Sequence, residues 1–110
     1  MAEPAAGPTG PGAVVLDIGA GTGALVLHTP AALAGREIEI SAAGAPGSPR
    51  THSLVRERRT PRGVTHAAVY PGLPAGDYII WRGPATPGGT VTIAGGQVTS
   101  HRWDVTRAGA

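Results

Sequence analysis

The residues with the most chemical potential in this chain are four histidines, a cluster of arginines and a glycine-rich loop that follows a carboxylate. His28, His52, His66 and His101 fall in segments with strand-like patterning, so their neutral imidazoles could converge from different strands on copper or zinc. No two of them are spaced two apart along one strand, which favours half-exposed strand residues over ligands. If a metal or small-ligand site exists, His52 and His66 are its first pair, because they flank one expected hairpin around "TPRG". The run "VRERRTPRG" sets Arg56 and Arg58 on one strand face, with Arg59 and Arg62 near the turn. Guanidinium groups so grouped bind phosphate or an acidic protein surface; the plainer alternative is a solvated hairpin with Glu57, Glu37 and Glu39 as cross-strand partners. Aromatics do not interleave with these arginines as nucleobase stacking requires, so nucleic acid is not the expected partner. Ser100 and His101 are adjacent and point to opposite faces of a strand, and no Gly-x-Ser-x-Gly occurs, so no hydrolase site is expected.

The glycine loop lies in "AVVLDIGAGTGALVL", residues 13–27, where Asp17, Gly19, Gly21 and Gly23 are suggestively spaced. This stretch resembles the first motif of class I methyltransferases, whose glycines cradle S-adenosylmethionine. That chemistry needs a full helix directly after the loop. Here "ALVLHTPAALAG" follows, β-rich at first and then interrupted by Pro30. One strand–helix–strand unit takes about 30 residues and a cofactor-binding doubly wound sheet on the order of 150, but fewer than 90 remain after the loop. The expectation is a β-hairpin whose glycines supply positive φ, with Asp17 a strand-end carboxylate paired to an arginine. Neither a methyltransferase nor a cofactor is expected.

The elements that must carry these residues are short strands. Turn signals such as "GAGTG", "PAALAG", "AAGAPGSP", "TPRG", "PGLPAG", "GPATPGG" and "AGG" separate strand-like runs at Ala13–Ile18, Ala24–His28, Glu37–Ser41, Thr51–Arg58, Val64–Tyr70, Asp77–Arg82, Thr90–Ile93 and Val98–Asp104. Alternation turns Ile38 and Ile40 inward against Glu37 and Glu39, and Val91 and Ile93 inward against Thr90 and Thr92. In "GDYIIWR" both faces are apolar: Tyr78 and Ile80 share one, Ile79 and Trp81 the other, so the second face covers a neighbour or meets a partner. The expected fold is all-β: a single small antiparallel β-sandwich of seven to eight strands over residues 13–105, with a Pro/Gly/Ala-rich tail at 1–12 and a flexible end at 106–110.

Composition narrows the functional classes. The chain has 110 residues, enough for one domain, and lacks cysteine, so disulfides and cysteine-ligated metals are excluded. All nine basic residues are arginine, and lysine, asparagine and phenylalanine are missing, the usage expected of a GC-rich bacterial genome. The net charge of +2 therefore says little about an anionic partner. No segment has the apolar length of a membrane span and the first residues are not patterned as a secretory signal, so a cytoplasmic location is expected.

The second half carries a resemblance. Tyr70, then "LPAG" at Leu73–Gly76, then Tyr78, followed by Val91, Ile93, Gly96 and Gln97, is similar to the C-terminal hairpins of transthyretin-like (prealbumin-like) sandwiches, including carboxypeptidase regulatory-like domains and the B-type repeats of collagen adhesins. The match covers residues 36–104 and implies an Ig-like or transthyretin-like sandwich in which Leu73 plugs the core, Gly76 permits a tight turn and Tyr78 faces inward. Without lysine or asparagine, the intramolecular isopeptide bond of the adhesin repeats is excluded, and "HRWDVTRAGA" does not match the "YRGS"-type motif of transthyretin-like hydrolases. The fold serves many roles. The expectation is a non-catalytic interaction module, an accessory subunit that docks a protein partner or self-associates through Trp81, Ile79, Arg56, Arg58, Arg59 and Arg62; the alternative is a histidine-lined ligand site at His52 and His66. Trp103 is a second aromatic suited to anchoring an interface.

Overall fold

The computed structural model describes Leu16, residues 18–45 and residues 47–103. The strands are β1 (Thr22–Thr29), β2 (Glu37–Ala42), β3 (Thr51–Leu54), β4 (Arg56–Thr60), β5 (Gly63–Pro74), β6 (Gly76–Gly83), β7 (Thr86–Ile93) and β8 (Val98–Arg102). They form two four-stranded sheets in a small all-β sandwich, the first ordered β4-β5-β1-β8 and the second β3-β2-β6-β7. Neighbours run antiparallel except β1 and β8, which are parallel. A single 3-10 turn at Ala31–Leu33 is the one helical element among the described residues, and none there is long and apolar enough to cross a membrane. The expected strand at Ala13–Ile18 and both chain ends lie outside the described residues, except Leu16 and Ile18, which are not in a strand.

Alternation builds the core. Leu25 and Leu27 of β1, Ala68, Tyr70 and Leu73 of β5, Ile38 and Ile40 of β2, Tyr78 and Ile80 of β6, and Val91 and Ile93 of β7 are all buried between the sheets. Each inward position in β2 and β7 is the one its period-two pattern assigns, and in β6 the inward pair is Tyr78 and Ile80, which the pattern places on one face. The differences lie where the chain changes sheets. Thr51–Arg58 reads as one strand, yet it breaks at Val55, which is 1% exposed, with β3 in the second sheet and β4 in the first. "PGLP" is not a separator: β5 runs through it to Pro74, Ala75 alone links it to β6, and a register shift opposite Gly23–Leu25 lets the strand bend. β7 begins at Thr86, so only Pro84 and Ala85 turn the β6–β7 hairpin.

Two polar bonds join the sheets: Ser53 Oγ of β3 donates to the Val69 carbonyl of β5 at 2.7 Å, and a tyrosine spans the core. The Tyr70 hydroxyl donates to the Ile38 carbonyl at 2.6 Å, joining β5 of the first sheet to β2 of the second. Tyr78 donates to the Pro74 carbonyl at 2.6 Å. Burial, and for Tyr70 the nearby Glu39 carboxylate as well, pushes both phenols above the ordinary 10.0.

Two outcomes follow. Tyr70→Phe removes the cross-core bond, lowering the unfolding free energy by about 1–2 kcal/mol in urea titrations at neutral pH. With no lysine or cysteine, these tyrosines are the only side chains whose ordinary pKa lies near 10.0. Because their folded values are raised, their contribution is complete below that pH and is lost as pH climbs from it toward the folded values. Tyr70→Phe therefore flattens the alkaline decline of stability, and an identical decline in the variant would refute this assignment.

Candidate interaction surface

The glycine loop is occupied by the protein's own backbone. The Gly19 amide donates to the Thr22 carbonyl at 3.0 Å, Ala75 donates to the Gly21 carbonyl at 3.0 Å, and Gly96 donates to the Thr22 carbonyl at 2.8 Å. Ala24 in turn donates to Gln97 at 3.0 Å, so the "LPAG" and "AGGQ" turns close on the loop from two sides. Strand β1 follows at once, where a cofactor loop would need a helix. Contrary to the expectation of positive φ, none of Gly19, Gly21 and Gly23 has it. Gly23 instead permits close approach, since a Cβ there would stand 2.3 Å from the Ala94 carbonyl oxygen. Asp17 lies outside the described residues.

The structure does not gather the histidines. The hairpin around "TPRG" is β4–β5, so it carries His66 but not His52. His52 belongs to β3, opposite Glu39, and its Nε2 stands 3.7 Å from the Glu37 carboxylate. The break at Val55 puts the pair in different sheets. Among the described residues no group of three or more His, Asp or Glu side chains is placed to hold a metal ion.

The arginine run divides. Arg56 pairs with Ala67 and Arg58 with Thr65, on the outer face of the first sheet, because their neighbour Ala68 points into the core. Arg59 lies on the other side of β4, where its Nη2 is 3.7 Å from Glu57, and Arg62 is exposed at the turn. Glu37 and Glu39 belong to the second sheet and are not partners of this run. Register extends Arg56 across the whole first sheet: Arg56 opposes Ala67, Ala67 opposes His28, and His28 opposes Arg102. Desolvation, then the charge of Arg56, lowers the Arg58 pKa. No carboxylate among the described residues shares this face.

Ile79 and Trp81 lie on the opposite side of the sandwich, outside the second sheet. Trp81 is held there by three neighbours. Its indole N–H donates to Ser41 Oγ at 3.0 Å, and the Arg50 guanidinium lies 3.7 Å from the ring centre while bonding Glu39 at 2.8 Å. Arg36, Glu37, Glu39, Trp81 and Arg82 line a cavity of about 270 Å³ beside it. Trp103 packs on the core, with the Arg82 guanidinium 5.2 Å from its ring centre.

Two residues of the first sheet's outer face escaped the sequence reading. Val26 and Val69 oppose each other directly and are only half-buried, next to the arginine row. Val98, 46% exposed, lies farther along the same face, opposite Ala24. The signal was present: "ALVL" and "AAVY" are apolar on both faces, like the β6 run.

The glycine loop gives a contrast that a cofactor-binding loop would not. Gly21→Ala meets nothing within 4 Å and leaves stability within about 0.5 kcal/mol, whereas Gly23→Ala drives a methyl into the Ala94 carbonyl and costs about 1–3 kcal/mol. Thermal or urea unfolding of the two variants checks the order, and equal effects would refute it.

Compared with protein-family models, with curated proteins and with solved structures, the chain matches none.

Proposed function

We propose that this domain is a non-catalytic interaction module that docks an acidic protein surface through the outer face of its first sheet. The observation that carries this reading is the row Arg56–Ala67–His28–Arg102 beside the half-buried Val26–Val69 pair, on a face without carboxylates among the described residues. An apolar strip flanked by arginines has the make-up of a protein interface, in which the strip supplies burial and the guanidiniums select an acidic partner. Ala67, 2% exposed between longer neighbours, keeps the strip shallow enough for a flat surface to lie on it.

The same reading makes the domain a small cytoplasmic accessory subunit of transthyretin-like type. Supporting the resemblance, Leu73 is buried in the core, Gly76 has φ +144° at the one-residue step between sheets, and Tyr78 faces inward. Each is the role that the "LPAG"-Tyr pattern implies.

Labelled poly-L-glutamate is the probe. Anisotropy titrations are expected to show saturable binding that weakens with salt and falls about tenfold or more in Arg56→Glu/Arg102→Glu, while Thr90→Glu on the far face leaves it unchanged. Tighter binding of an oligothymidylate than of polyglutamate would replace this reading with a nucleic-acid one, and no saturable binding would overturn it.

A further inference from the structure

The ladder between β2 and β6 stops at Ile40–Ile80, short of the start of β2. On the β6 side the register with β7 shifts twice, between Ile80 and Trp81 and between Trp81 and Gly83, a pattern that bends a strand. The cavity of about 270 Å³ lies in this fork, between Arg36, Glu37 and Glu39 on one side and Trp81 to Pro84 on the other. Gly83 adds no side chain to fill it. The space is below the range of about 300–1,000 Å³ that takes drug-sized ligands, so it suits a smaller molecule.

Most of the charged side chains at the cavity are already engaged. Glu39 and Arg50 bond each other at 2.8 Å, with Arg50 also over the Trp81 ring. The Arg82 guanidinium is 5.2 Å from the Trp103 ring centre, and its stem is seated over Gly88, where a Cβ would stand 2.6 Å from Arg82 Cγ. Arg36 and Glu37 remain. The Glu37 carboxylate has His52 Nε2 at 3.7 Å, and no ion pair engages the exposed Arg36 among the described residues. Consecutive side chains at the entry to a strand diverge, so these two opposite charges stand apart. Trp81 and Pro84 are the apolar side chains of the lining, and because the indole N–H is committed to Ser41, Trp81 offers ring surface and no donor.

We infer that this fork binds a zwitterionic small molecule of the α-amino-acid type, with its carboxylate on Arg36, its ammonium on Glu37 and an apolar side chain against Trp81 and Pro84. A simple anion would leave Glu37 facing like charge, and a simple cation would do the same to Arg36; a ligand carrying both charges satisfies the pair. Ser41 and Arg50 fix Trp81 and Gly88 seats Arg82 before any ligand arrives, which reduces the cost of ordering the site. The site belongs to the second sheet, whereas Arg56 and Arg102 belong to the first, so it is separate from the docking face proposed above.

L-Phenylalanine is the probe, followed by proton–nitrogen correlation spectra. At millimolar concentrations it is expected to move the Glu37 and Gly83 amides and the Trp81 indole N–H along one saturable curve, with Val26 and Val69 of the other face unmoved. N-Acetyl-L-phenylalanine, which lacks the ammonium, and L-phenylalaninamide, which lacks the carboxylate, are each expected to bind about tenfold or more weakly. Arg36→Gln is expected to weaken the amino acid about tenfold while leaving the affinity of the amide as in the wild type. Glu37→Gln is expected to weaken the amino acid equally while leaving that of the N-acetyl derivative as it was. A folding defect would weaken every ligand, so this crossed pattern separates recognition from structure. An amide that binds as tightly as the amino acid would mean a cation site, an N-acetyl derivative that does so an anion site, and either overturns the inference. Variants whose effects are not crossed, shifts centred away from the cavity, or no saturable shift overturn it as well.

Discussion

Two sheets can share one core only if the chain passes between them without stranding backbone polar groups, and here two of its four passes are made on single residues. At Val55 the amide donates to the Arg36 carbonyl at 2.8 Å and the carbonyl accepts from Gly35 at 2.9 Å. At Ala75 the amide donates to Gly21 at 3.0 Å. Both steps are therefore satisfied by loops, which meets the cost that a buried unpaired amide would impose. With such short steps the sheets have little freedom to slide, and the Tyr70–Ile38 bond fixes their separation at the centre. The faces of the sandwich inherit their composition from this arrangement, because β4 can present Arg56 and Arg58 beside β5 only once the chain has left β3 for the other sheet.

This constraint also marks what the amino-acid pattern could reveal. Period-two alternation assigned the inward residues of β2 and β7, since a strand with one wet face writes its orientation into the residue order, whereas in β6, apolar on both faces, it only sorted Tyr78 and Ile80 from Ile79 and Trp81. The step at Val55 was invisible because Thr51–Arg58 is continuous in strand propensity, and a change of sheet needs no glycine or proline when neighbouring loops supply the hydrogen bonds. "PGLP" misled in the other direction: turn-forming residues sit inside a strand because a bend opposite β1 accommodates them.

The surface was legible only in pieces. Arg56 and Arg58 were correctly assigned to one face from spacing alone, but their companions His28 and Arg102 come from strands far away in sequence, and only sheet order brings them into line. The expected surface residues separate in the same way, with Trp81 and Ile79 on one side of the molecule and Arg56 and Arg58 on the other. Trp81 is also less available than its residue type implies, since Arg50 lies over its ring and Ser41 holds its N–H.

The parallel pairing of β1 with β8 bears on how the sandwich is made. The first described strand is completed by the last, with Ala24 beside Val98 and His28 beside Arg102. Until β8 emerges and docks, β1 is an uncovered margin carrying Leu25, Val26 and Leu27 in succession, the kind of strand that recruits other chains. Closing so distant a pair is slow, because the loop must be ordered before any contact rewards it. The vulnerable interval in the life of this domain is thus during synthesis, and protection against misassembly rests on how quickly "VTSHR" finds its place.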